Sequence, residues 1–241
     1  MERLPVSISP CPVQEAVVEV RFSSILPAEA VFGVLYTKVN HDFGSVTNLP
    51  ILQIPEAIRS QDPNLMYQAH YSLSKGNLSL KVGPRVLTFS YTPPYEGWHT
   101  FLPFVLGVLD SIKDTGIIQL PERIGIRYIN FFSMPILDKL KLELKYGETR
   151  LSTEATHVRT EILEDGFIKI INVANNMSVT LQGRVETGSL VDIDCVYNYP
   201  LGSASFYESH ESIIEEGHKI EKRTFFGLLQ DEFLNTLSPN Y

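Results

Sequence analysis

The chain has 241 residues, 44% of them apolar and 20% charged, with a formal charge of -8. A chain of this length buries a sizeable core without disulfide or metal staples, and its surplus of acid disfavours the nonspecific attraction to phosphate backbones and anionic lipid that Lys and Arg provide. Its two cysteines, Cys11 and Cys195, lack the paired spacing of zinc or redox sites, so free thiols in a reducing cytoplasm are expected, and no cofactor.

The first twenty residues contain no basic region followed by a long apolar run. The longest apolar stretch, Trp98 to Ile112, is broken by His99, Pro103 and Asp110. Neither a signal peptide nor a membrane span is expected.

In chain order, Ala16 to Phe22 alternates as a strand, with Glu19 and Arg21 on one face and Val18, Val20 and Phe22 on the other. Pro27 marks a helix start, and Ala30, Val31, Val34, Leu35 and Val39 form its apolar stripe up to Asp42 and Gly44. Strands over 65–73, 78–82 and 86–91 are separated by Lys75-Gly76-Asn77 and Gly83-Pro84, which predicts an antiparallel meander. A helix from Tyr95 to Lys113 is apolar over more than one stripe and must be buried on most sides, so its Tyr95-Glu96-Gly97-Trp98 start reads as packing.

In the second half, Ile124 to Phe132 reads as a strand and Ile136 to Leu142 as a short helix. Asp165-Gly166 predicts a two-residue hairpin that sets Ile168 opposite Leu163, Asn172 opposite Arg159 and Ala174 opposite His157. Val158, Thr160, Ile162, Lys169, Ile171 and Val173 then face the core, and His157, Arg159 and Glu161 the other side. Strands over 178–186 and 190–197 are expected around a Thr187-Gly188-Ser189 turn. Capping-box spacing from Ser205 to Glu208 opens a helical tail to Leu237, with Gly217 and Gly227 as break points.

These elements define an α+β chain, largely an antiparallel curved sheet backed by helices. Its lobes, 1–118 and 119–241, pack as one unit, and each reads strand, helix, strands, helix. Val18-Glu19-Val20-Arg21-Phe22 lines up with Ile124-Gly125-Ile126-Arg127-Tyr128, in keeping with an internal duplication. Each half of the TATA-binding-protein fold has the same order of elements, an analogy of topology that carries no function.

Four segments, Pro12 to Phe22, Tyr95-Glu-Gly-Trp98, Arg123-Ile-Gly-Ile-Arg-Tyr-Ile-Asn130, and Phe225-Phe-Gly-Leu-Leu229 with Glu232, together resemble a sporadically distributed bacterial family of similar length. The resemblance implies no catalytic residue or cofactor. The family's patchy distribution implies genes that travel on mobile elements, with antitoxin, immunity or phage-defence roles.

Phosphate loops, dinucleotide glycine patterns, nucleophile elbows and His-Glu-x-x-His are not found. Glu211, Glu215 and His218 share a helix face, but the di-iron pattern needs a second Glu-x-x-His helix, and a solvated face is the simpler reading. Asp192 and Asp194 point the same way and, with Glu186 or Glu161, are the residue types that hold a hard cation; a solvated sheet face is again simpler.

The most informative group is cationic. Arg123 and Arg127 project from one face with Gly125 between them, leaving bare backbone that a ligand can approach, while Asn130 has the opposite parity. Arg21, Arg159 and Arg184 lie two residues from Glu19, Glu161 and Glu186. Two readings follow: a cross-strand ion-pair lattice, or an anion pocket in the manner of triphosphate-tunnel enzymes. Those enzymes begin Glu-x-Glu-x-Lys, whereas this chain has Glu19-Val-Arg21.

The sequence therefore favours a nonenzymatic cytosolic protein that recognises a partner protein encoded nearby. The alternative is a phosphate- or nucleotide-binding enzyme using the arginine face on an anionic small molecule. Nucleic acid is disfavoured by charge, and a homodimer is left open.

Overall fold

The computed structural model describes residues 4–181, 183–201, 203 and 206–241. Its strands are β1 Val13–Ser23, β2 Ser45–Asn48, β3 Tyr71–Lys75, β4 Leu78–Gly83, β5 Val86–Tyr91, β6 Leu120–Phe132, β7 Leu144–Tyr146, β8 Thr149–Leu151, β9 Thr156–Glu164, β10 Phe167–Leu181 and β11 Arg184–Asn198. Its helices are α1 Ala28–Val39, α2 Glu56–Arg59, α3 Trp98–Ser111, α4 Phe206–Leu228 and α5 Asp231–Thr236. Among the described residues, no helix is long and apolar enough to cross a membrane.

Nine strands form one antiparallel sheet in the order β2-β3-β4-β5-β1-β6-β11-β10-β9, and β7 and β8 form a separate hairpin. The order is pseudo-symmetric about β1 and β6, which open the two halves and lie side by side at the centre. Glu19 and Gly125, equivalent in the alignment of the halves, are cross-strand neighbours, so the pseudo-two-fold axis passes between them.

Alternation decides the faces. Ala16, Val18, Val20 and Phe22 of β1, Ile124 and Ile126 of β6, and Ile193 and Cys195 of β11 are buried in one apolar cluster with Val31 and Leu35 of α1, Phe101 and Val105 of α3 and Ile214 and Ile220 of α4. The helices thus cover one face, and residues of the other parity line an open face. Gly217 does not break α4. A Cβ there would lie 2.4 Å from Cδ1 of Ile126, so glycine lets the helix rest closely on the sheet. The helical tail breaks after Leu228, before α5.

The hairpin reads as expected: Leu163 pairs with Ile168, Arg159 with Asn172 and His157 with Ala174. Other elements differ. Residues 65–67 form a turn, 68–70 are irregular, and β3 starts only at Tyr71. β2, α2 and the β7–β8 hairpin lie in stretches too short or too polar to show a period. The predicted helix over 136–142 shrinks to a 3-10 turn, Leu137–Lys139. Thr187-Gly188-Ser189 is strand rather than turn. It lies opposite a bulge in β10 between Ala174 and Met177, and a Cβ on Gly188 would meet the Phe132 carbonyl oxygen at 2.4 Å. Ser205 of the expected capping box lies outside the described residues.

Candidate functional site

Cross-strand register builds the open face. Along one row, Ser45, Ser74, Ser79 and Ser90 lead through Val17 to Arg127, Asp194, Ile170 and Glu161. In this row the strands of the N-terminal half carry small hydroxyl residues, and those of the C-terminal half carry charge beside aliphatic groups. On that second half Ile129, Phe131, Ile168, Ile170 and Leu190 are half-buried, and Leu163 is exposed.

Four of the expected residues converge where the halves meet. Arg21 Nε donates to Glu19 Oε1 at 2.7 Å, and Arg123 bridges the same oxygen at 3.2 Å and Asp194 Oδ2 at 2.9 Å. Arg127 grips Asp192 through two parallel bonds of 2.7 Å, the strong fork geometry of guanidinium on carboxylate. These bonds, chiefly, hold the Arg127 guanidinium above its usual pKa, whereas burial raises the Asp194 carboxyl despite the guanidinium groups beside it.

Gly125 is not an approach for a ligand. A Cβ there would lie 3.2 Å from Asp194 Oδ1 and 3.3 Å from an Arg123 nitrogen, so the chain's own ion pair crosses the bare backbone. Asp192 and Asp194 share a face as expected, but their oxygens accept from arginine. Among the described residues, no group of three or more His, Cys, Asp or Glu is placed to hold a metal.

The remaining expected residues stand apart. Arg159 pairs with Glu161 on exposed edge strand β9, three strands from Arg127. Arg184 is exposed at the start of β11 and is not ion-paired to Glu186, although both lie on one face of that strand; the expected Ser178–Glu186 strand is divided between the end of β10 at Leu181 and the start of β11.

Sequence reasoning missed the segment between β2 and β3, which folds over the open face. Its Tyr67 hydroxyl donates to Glu122, Arg21 lies 4.8 Å above the Tyr67 ring, and Ser23 and Arg85 donate to the same carboxylate. Burial raises the Glu122 carboxyl, and these donors outweigh it, leaving its pKa below the ordinary range. A polar cavity of about 370 Å³ lies beneath the segment, lined by Glu19, Arg21, Tyr67, Gln68, Lys81 and Thr88. A second of about 430 Å³ includes Glu29, Glu56, Arg59, His70 and Arg85. The Glu29 and Glu56 carboxyls influence each other: backbone donation, chiefly, lowers the first, and interaction with Glu29 raises the second. Burial, then Arg59, pushes His70 down to about 4.

On the helix face, His218 turns inward rather than to solvent. Its ring stacks on Trp98 at 4.0 Å, and Nδ1 lies 3.3 Å from the Tyr128 hydroxyl, itself 2.8 Å from that of Tyr95. The Tyr95 to Trp98 segment is therefore packing, as expected. One turn on, Glu221 is only 4% exposed, and burial raises it to about 8, while burial and then Lys222 and Lys219 lower His218 to about 3. The signal for Glu221 was its helical spacing from Ile214, Gly217 and Phe225 on the buried stripe.

No family model and no curated protein matches the chain.

Proposed function

We propose that the protein recognises a partner protein through the open sheet face of its C-terminal half. One observation carries the reading: Arg123 and Arg127 each already hold a carboxylate, and half-buried Ile129, Ile168, Ile170 and Leu190 lie among these pairs. A guanidinium already forked onto aspartate is poorly placed to grip phosphate, whereas a broad surface of aliphatic groups framed by neutralised charge suits a protein contact. The resemblance noted above makes the product of an adjacent bacterial gene the first partner to try, with an antitoxin, immunity or phage-defence role.

Calorimetry between the purified protein and that gene product is the test. We expect binding, a loss of about tenfold or more for Ile170→Glu with unchanged melting, and no loss for Ser74→Glu on the hydroxyl-lined half. No binding, or equal loss from both variants, rejects the reading. The cavity beside Arg21 and Lys81 supports the second reading, an anionic small molecule, and a thermal shift with a nucleotide panel that vanishes in Lys81→Ala supports it over the first.

A further inference from the structure

The two edges of the nine-stranded sheet are built differently. β2 has four residues and is followed closely by Pro50, so it offers little backbone to a newcomer. β9 runs nine residues without Pro or Gly, and no described strand pairs with its outer side. Asp165 and Gly166, at φ 51° and 82°, close a two-residue hairpin. The flanking Glu164 and Phe167 are then a hydrogen-bonded pair, and every second residue back along β9 turns its peptide groups to β10. His157, Arg159, Glu161 and Leu163 therefore present their N–H and C=O groups outward.

This edge is complementary to itself. When it lies antiparallel to a second copy with Thr160 opposite Thr160, Arg159 faces Glu161 of the second copy, and the two-fold repeats the pair. On the other face of the sheet, Val158 meets Ile162 of the second copy, a side chain otherwise left 43% exposed. The same register sets outward peptide groups against outward peptide groups. A slip of one residue puts side chains on the wrong faces, and a slip of two brings Glu161 against Glu161 or Arg159 against Arg159. Charges of one sign would guard an edge, but arginine and glutamate separated by a single threonine recognise their own reverse.

We propose that the protein forms a homodimer by antiparallel pairing of β9 with β9 of a second copy, centred on Thr160. The open faces of both copies then lie on the same side of one continuous sheet. The pairing uses the strand edge and stands whether or not that face binds a partner protein.

Sedimentation equilibrium of the full chain over a wide concentration range is the test. The wild type dimerises, and Arg159→Glu and Glu161→Arg each raise the dissociation constant by about tenfold or more, since each sets like charges opposite twice. The double variant Arg159→Glu/Glu161→Arg restores opposite pairs and returns the dimer. Both positions are exposed, so at concentrations too low for the dimer to form all three variants melt close to the wild type. In hydrogen exchange, the Arg159 and Glu161 amides are protected only at concentrations where the dimer forms. A wild type monomeric throughout, single variants that dimerise normally, a double variant that stays monomeric, or fast exchange of those amides at every concentration overturns the proposal.

Discussion

The halves of the sheet share a strand order and solve the same burial problem with different materials. In the first half, α1 covers the sheet through Val31, Leu35 and Val39. In the second half the corresponding stretch has only the Leu137–Lys139 turn, which buries Ile136, Leu137 and Leu140 and is tied down by the buried side chain of Asn175. Asn175 Oδ1 accepts from the amides of Ile136 and Leu137 at 2.6 and 3.1 Å, while Nδ2 donates to the carbonyls of Ser152 and Glu154 at 3.1 and 2.8 Å. The closing helices differ likewise: α3 buries Phe101, Val105, Val108 and Leu109, whereas α4 buries Glu221 and His210 among its apolar residues. The first half is held mainly by apolar area, and the second depends on a few polar groups, so point substitutions should separate them.

Asn175→Ala has the largest effect. It removes the partner of four backbone groups, strands the buried amides of Ile136 and Leu137, and leaves a void at a fully buried side chain, costing about 3–5 kcal/mol, a fall of roughly 10 °C in melting temperature. Urea melts of the variant measure it, and a change under 1 kcal/mol would show that α1 has no polar substitute. Glu221→Gln comes next, with a sign that depends on pH. The folded pKa, about 8, lies above the ordinary glutamate value of 4.5 in the unfolded chain, so the folded chain keeps a proton that the unfolded chain releases. Stability therefore falls as pH rises through this window. The variant matches the wild type near pH 4 and exceeds it by a few kcal/mol at pH 9. His218 has the opposite slope: its folded pKa, about 3, lies below 6.5, so its stabilising effect is lost as pH falls between them. A flat difference between Glu221→Gln and wild type across that range would mean that Glu221 is ionised in the fold.

Where these groups lie was partly legible from spacing alone. A two-residue repeat puts Glu19 with Arg21 and Arg159 with Glu161, and those pairs form. The Asp165-Gly166 turn fixed the register of a nine-residue pairing by counting, because a hairpin leaves no freedom in strand order. Arg123 with Asp194 and Arg127 with Asp192 were beyond reach, since they depend on β11 lying beside β6, a neighbour about seventy residues away that no local period encodes. The covering segment was hidden for a different reason. It contains only turns and the four-residue α2, and Tyr67 is held by Glu122, Arg21 and Arg85 from three separate strands or turns.

The smallest effects test the ion pairs themselves. Arg127→Ala leaves the Asp192 carboxylate, on a residue only 9% exposed, without its fork. Half the guanidinium side chain is already in water, so the loss is about 1–2 kcal/mol rather than that of a fully buried pair. Arg159→Ala removes an equally close pair in which both side chains are about half exposed, and the cost is about 0.5 kcal/mol or less for the isolated chain. Both arginines hold a carboxylate on the same face, so the difference between their melting temperatures measures what burial and the two-bond fork of Arg127 add over the single bond of Arg159. Thermal melts at low protein concentration, where edge pairing does not contribute, and at two salt concentrations should show the Arg159 effect vanishing with salt while most of the Arg127 effect persists. Equal effects at both sites would mean that the central lattice is as solvated as the edge, removing the physical ground for treating Arg127 as part of the frame rather than as a free cation.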